Sequence, residues 1–89
     1  MENVDDIRKR LIFRSWHRGT REMDLLMGSF ADRYVPGFSG DELAQYGAVL
    51  EQNDPDLYDW VTGKKPAPAN LMSPVLEKLL THRFAGDIK

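Results

Sequence analysis

The chain contains no cysteine. That single absence excludes disulfides, thiolate nucleophiles, iron–sulfur ligation and Cys-based zinc sites. A fold without such staples relies on packing, and the composition suits a reducing compartment. Histidine is scarce: His17 and His82 are the only two, and neither has a ligand-type residue three or four positions away. No metal site is expected. There is no G-x-S-x-G elbow around any serine, no G-x-G-x-x-G and no G-x-x-x-x-G-K, so the usual signatures of nucleophilic catalysis and phosphate cradling are missing. Long apolar runs are also missing. The longest stretch without a charge, residues 66–76, is short and interrupted by proline, which excludes a membrane-spanning helix and direct membrane insertion. The N-terminus is acidic at Glu2, Asp5 and Asp6, unlike a signal or transit peptide, and predicts a cytoplasmic protein.

What remains is an 89-residue chain, 42% hydrophobic and 29% charged. That is one domain, residues 1–89, with an ordered core expected over about 5–84. A chain of this size buries roughly 60–65% of its unfolded surface, enough for one modest core and little interior for a deep cleft. The net charge of −2 hides a pattern: residues 7–21 carry six Lys or Arg and no acid, whereas residues 22–60 carry nine acids against Arg33 alone. Such polarity can steer a partner or be consumed by internal pairing, and both readings stand. Nucleic acid is not the expected partner, because the chain is acidic overall, with a pI near 5.6, and its basic run has no helix-turn-helix spacing.

The periodicity is helical throughout. Val4, Ile7, Leu11 and Ser15 form one stripe; Met23, Leu26, Met27, Phe30 and Tyr34 a second; Leu43, Gly47 and Leu50 a third; Leu76, Leu79, Leu80 and Phe84 a fourth. No segment sustains strict alternation, so no strand is expected. Gly19 and Thr20 break the first helix from the second, and Pro36-Gly37 stops the second. Ser39 and Glu42 form a capping box with Phe38 and Leu43 placed as a hydrophobic staple. Asp54 is read as the cap of a fourth helix with Pro55 at its first position, Leu57, Trp60 and Val61 as its buried face and Gly63 as its stop. Residues 64–69 read as an extended linker, and a last helix begins between Asn70 and Pro74 and runs to about Arg83. The expected fold is all-α, a compact bundle of five short helices.

The densest chemistry lies in Arg18-Gly19-Thr20-Arg21-Glu22, beside Trp16 and His17. One reading is a helix hairpin capped by Gly19, with Arg18 and Glu22 solvated. The other is a rigid, charged interaction patch, since Arg and aromatic residues are favoured interface anchors. These residues match the R-G-x-x-E motif of the succinate dehydrogenase assembly factor 2 family, whose bacterial form is called SdhE. The run from Trp16 to Leu26 resembles that family's first hairpin, and Asp54-Pro55-Asp56-Leu57-Tyr58-Asp59-Trp60 resembles its fourth helix. The likeness covers roughly residues 5–83.

The resemblance implies a five-helix assembly chaperone and not an enzyme. Such a protein docks on the flavoprotein subunit of succinate dehydrogenase, with fumarate reductase flavoproteins as further clients of some members, and promotes covalent attachment of FAD. The FAD belongs to the client; none is expected to be bound stably here. The resemblance implies that Arg18, Gly19 and Glu22 carry the function, with Arg21 and Asp24 flanking them, Arg18 and Glu22 bonding client groups and Gly19 permitting close approach. Trp16 and His17 are candidate client contacts or local packing. Tyr58 is a candidate contact on the fourth helix, and Trp60 a core residue. Mitochondrial members carry a presequence, and none is evident here, which implies a bacterial cytoplasmic member. An antitoxin-like or regulatory protein-binding module is the alternative reading.

Overall fold

Local capping chemistry punctuates the chain. In a computed structural model, which describes residues 3–82, the elements are α1 (Val4–Trp16), α2 (Arg21–Tyr34), a 3-10 turn (Val35–Gly37), α3 (Gly40–Leu50), α4 (Asp54–Thr62), a second 3-10 turn (Ala69–Leu71) and α5 (Pro74–Thr81). Each α-helix starts at a polar side chain that accepts a backbone N–H three residues on: Asn3, Thr20, Ser39, Asn53 and Ser73. The expected capping box is present in both directions, with the Glu42 amide donating to Ser39 Oγ at 3.2 Å and the Ser39 amide donating to Glu42 Oε1 at 2.9 Å. Phe38 and Leu43 are both buried beside it.

The expected cap of α4 is corrected by one residue. Asn53 holds that position, accepting the Asp56 amide at 2.9 Å. Asp54 is the first helical residue, and its carboxylate is free to serve elsewhere. Gly63 ends α4 with φ +83°, a left-handed conformation that an L side chain rarely adopts. The segment after it is extended as expected except for the short 3-10 turn at Ala69–Leu71. The expected end of α5 near Arg83, and Phe84 of the fourth stripe, lie outside the described residues.

The helices enclose one apolar core, with a radius of gyration of 12.3 Å. Helix α1 packs along α2 and against α3, while α5 packs on α3 and α4. Leu26, Met27, Phe30, Leu57, Leu76 and Leu79 sit at its centre. Complete burial of such side chains contributes roughly 1.5–3 kcal/mol each.

Three expectations about the core change. Val4 opens the first stripe but remains exposed. On α3 the inward residues are Leu43, Tyr46, Val49 and Leu50; Gly47 is only half-buried. Tyr46 goes inside because its hydroxyl lies 2.6 Å from Ser15 Oγ and 3.4 Å from the Met27 carbonyl oxygen, so no polar atom is orphaned. Burial pushes its phenol up to about 12, although the Ser15 hydrogen bond and the charges of Arg18 and Arg14 pull it down. Trp60 and Val61, expected on the buried face of α4, are half-buried and pack against the core's edge.

Candidate functional site

The turn between α1 and α2 is built by side chains that face into the protein. His17 is the C-cap of α1, and Gly19 follows at φ +125°. A Cβ there would meet only Asp54 Oδ2, at 4.0 Å. The glycine is therefore required by its dihedral and not by crowding within the chain. The Asp24 carboxylate, one turn into α2, accepts the Arg18 amide at 2.6 Å and the Gly19 amide at 3.3 Å. Thr20 caps α2.

Arg18, expected to bond client groups, turns its guanidinium into the fold in the free chain, with its side chain only 10% exposed. Nε donates to Asp54 Oδ1 at 2.9 Å, Nη1 to the Leu50 carbonyl at 2.9 Å and Nη2 to the Gln52 carbonyl at 2.9 Å. The last carbonyl of α3, the Gln52 carbonyl of the loop after it and the first carboxylate of α4 are thus tied to the α1–α2 turn through one planar fork. Asp54 was free for this because Asn53 took the capping role.

Trp16 is also a packing residue. Its indole lies on Gly28 of α2, where an added Cβ would run into the Trp16 ring, and its Nε1 donates to Asp32 Oδ1 at 3.2 Å. Gly28 escaped sequence reasoning. The available signal was a lone glycine inside a long helical stripe, which costs about 1 kcal/mol relative to alanine and so calls for a reason.

Around this scaffold the remaining candidates converge. Trp16, His17, Gly19, Thr20, Arg21, Asp24 and Leu25 line one open depression. Thr20, Glu22, Met23, Asp54, Pro55 and Tyr58 line a second. The two meet at Thr20, so all the expected site residues lie in or directly beneath one continuous surface. Arg21 and Glu22 are exposed at the head of α2 and make no hydrogen bond or ion pair among the described residues. Tyr58 is half-buried, with its neighbour Glu22 across the groove.

The basic segment is partly consumed internally. Arg8 bonds Asp5 at 3.1 Å and the Phe38 carbonyl at 2.7 Å, Arg14 bonds Glu51 at 2.8 Å, and Arg18 bonds Asp54. Among the described residues, no three His, Cys, Asp or Glu side chains form a group able to hold a metal ion, and no helix is long and apolar enough to cross a membrane.

Comparison with known proteins agrees with the R-G-x-x-E reading. Residues 9–83 match the family model described as flavinator of succinate dehydrogenase. The protein named FAD assembly factor SdhE of Acetobacter pasteurianus is 37% identical over 79 residues, covering 89% of this chain and 72% of that protein. Succinate dehydrogenase assembly factor 2, mitochondrial, of Dictyostelium discoideum is 34% identical over 87 residues, covering 98% of this chain and 61% of that one. Its namesake in Debaryomyces hansenii is 46% identical over 61 residues, covering 68% and 43%. This chain therefore spans between 43% and 72% of the length of these relatives. By the family match and by these identities, the chain belongs to the succinate dehydrogenase flavinator family.

Proposed function

We propose that the chain is an assembly chaperone that binds the flavoprotein subunit of succinate dehydrogenase and promotes covalent attachment of FAD to it. The observation that carries this reading is the division of labour within the turn. Arg18 and Asp24 hold it rigidly from inside, leaving Arg21 and Glu22 presented outward and unpaired. A preorganised turn with free charges loses little entropy on docking. The names of the matched relatives support the choice of client.

On this reading the chain is not a catalyst. Bond formation belongs to the client and its FAD, and this chain orders the client's geometry. It holds no FAD stably of its own. The fumarate reductase flavoprotein is a second client, and the chain acts in the bacterial cytoplasm.

The test is reconstitution of purified client with FAD, with and without this protein, read as in-gel flavin fluorescence. Wild type should raise covalent flavin, while Glu22→Ala and Arg21→Ala should raise it less. Equal fluorescence with and without wild-type protein would overturn the reading. Gly19→Arg, the obvious motif variant, is a poor probe: at φ +125° any side chain strains the turn itself.

A further inference from the structure

One exposed feature is used neither by the core nor by the motif. Phe13 is 62% exposed, the most exposed of the large hydrophobic side chains among the described residues. It lies off the inward stripe of α1, four positions before His17, so the two share a face. Their rings stack with centroids 4.0 Å apart and planes 21° from parallel, and His17 Nδ1 lies 2.7 Å from the Phe13 carbonyl oxygen. The pair is held in one geometry before any partner arrives. His17 in turn lines the same depression as Leu25 and Arg21, and Leu25 is itself an exposed large apolar residue.

Charge marks the same surface. Lys9 is exposed one turn before Phe13, and Arg21 one turn before Leu25; neither has an ion-pair or hydrogen-bond partner among the described residues. Of the nearby acids, Asp24 holds the turn and Asp32 takes the Trp16 indole, while Glu22 faces outward beside Arg21. The face therefore offers an aromatic and aliphatic centre between two free cations, on a chain whose net charge is −2.

We infer that Phe13 is the apolar anchor of the client interface, which extends from the R-G-x-x-E turn onto the outer face of the α1–α2 hairpin. The matching client surface is an apolar hollow with acidic groups at its rim. This rests on the flavoprotein-chaperone reading above. A second copy of this chain is a poor occupant, since a two-fold contact brings the same patch against itself and so sets cation against cation, Lys9 and Arg21 facing one another across it. A central, rigid aromatic anchor is the residue type that dominates binding energy.

The experiment measures binding of purified, FAD-loaded succinate dehydrogenase flavoprotein by full-length wild type, Phe13→Ala, Leu25→Ala and Glu22→Ala, each checked for an unchanged urea midpoint. Phe13→Ala should bind about tenfold to a hundredfold more weakly, chiefly through faster dissociation. Leu25→Ala should show a smaller loss, and Lys9→Glu should slow association and flatten its salt dependence. If Glu22→Ala weakens binding while Phe13→Ala binds as wild type, the inference fails and the chaperone reading stands. If folded wild type does not bind the flavoprotein, both fail. Concentration-dependent dimerisation in sedimentation that Phe13→Ala abolishes would assign the patch to a second copy and also overturn the inference.

Discussion

Replacing Arg18 separates two views of the motif. If its guanidinium acts by holding the fold, Arg18→Ala leaves the Leu50 and Gln52 carbonyls without their donor and the Asp54 carboxylate, 21% exposed, without its cation. Breaking a fully buried ion pair costs about 3–5 kcal/mol, and an orphaned buried carbonyl about 1–3 kcal/mol. Water can reach Asp54, which discounts the sum, so the expected loss is about 2–4 kcal/mol. For a domain of this size that is a large fraction of total stability, and it lowers Tm by roughly 10–25 °C. Arg18→Lys keeps the charge but replaces a planar fork with one ammonium that cannot serve three acceptors, so about half of the loss should persist. Urea melts followed by circular dichroism measure both variants, and the m-value should not change. At a temperature where Arg18→Ala is fully folded, it should retain much of its client binding, because Arg21, Glu22 and Tyr58 still present the surface. A loss below about 1 kcal/mol, or abolished binding by a fully folded Arg18→Ala, would refute the positioning role and return Arg18 to direct client contact.

Three further perturbations follow from the same geometry. Gly28→Ala should destabilise by about 1–2 kcal/mol, the overpacking against Trp16 exceeding the gain in helix propensity; in a Trp16→Ala background it should instead be neutral or stabilising by up to about 1 kcal/mol. Equal effects in both backgrounds would sink that account. Burial raises the Tyr46 phenol to about 12. The folded state therefore binds this proton more tightly than the unfolded chain, where the value is near 10. The associated stability is complete below pH 10 and falls by about 2–3 kcal/mol as pH rises to 12. Urea midpoints in that window should fall in wild type and not through this group in Tyr46→Phe. Glu22→Ala should leave stability within about 0.5 kcal/mol of wild type while lowering covalent flavin on the client, since its exposed side chain makes no hydrogen bond or ion pair among the described residues; a large stability loss would place Glu22 in the scaffold.

The parts of this fold legible in the sequence are those written in neighbouring residues. Ser39 and Glu42 announce their helix start because both halves of the capping box lie within one turn. Gly63 announces its stop because the required conformation belongs to a single residue. Distance in the chain hides the rest. Arg18 meets Asp54 across 36 positions, and nothing local distinguished Asp54 from Asp56 or Asp59. Choosing Asn53 as the cap would have freed Asp54, but that alone does not name its cation. Tyr46 and Gly47 both fit the period of α3, and the choice turns on Ser15, 31 residues away, supplying a partner for the phenol. The motif residues come together on one surface around Thr20. The outward ones could be read from type and position, whereas the inward turn of Arg18 depends on which carbonyls α3 leaves open at its end. Phe13 was legible in principle: it breaks the stripe of α1 and sits four residues from His17.

The internal pairing of the basic segment bears on how the proposed client would be found. Taken formally, residues 7–21 present +6, which would predict strong long-range steering and a steep salt dependence. Arg8, Arg14 and Arg18 are each paired with an acid of this same chain. An ion pair looks nearly neutral from beyond a Debye length of about 8 Å at physiological ionic strength. The field felt by an approaching partner is therefore set by fewer charges, Lys9 and Arg21 among them, on either side of Phe13 and Leu25. Such a surface gives modest steering with well-defined orientation: two cations and an aromatic fix a docking angle that a diffuse +6 patch would leave open. The salt dependence of association should accordingly correspond to about two or three charges rather than six. Lys9→Glu should remove a large share of it, while the double replacement Arg14→Gln with Glu51→Gln, which removes a pair already neutral at a distance, should remove much less.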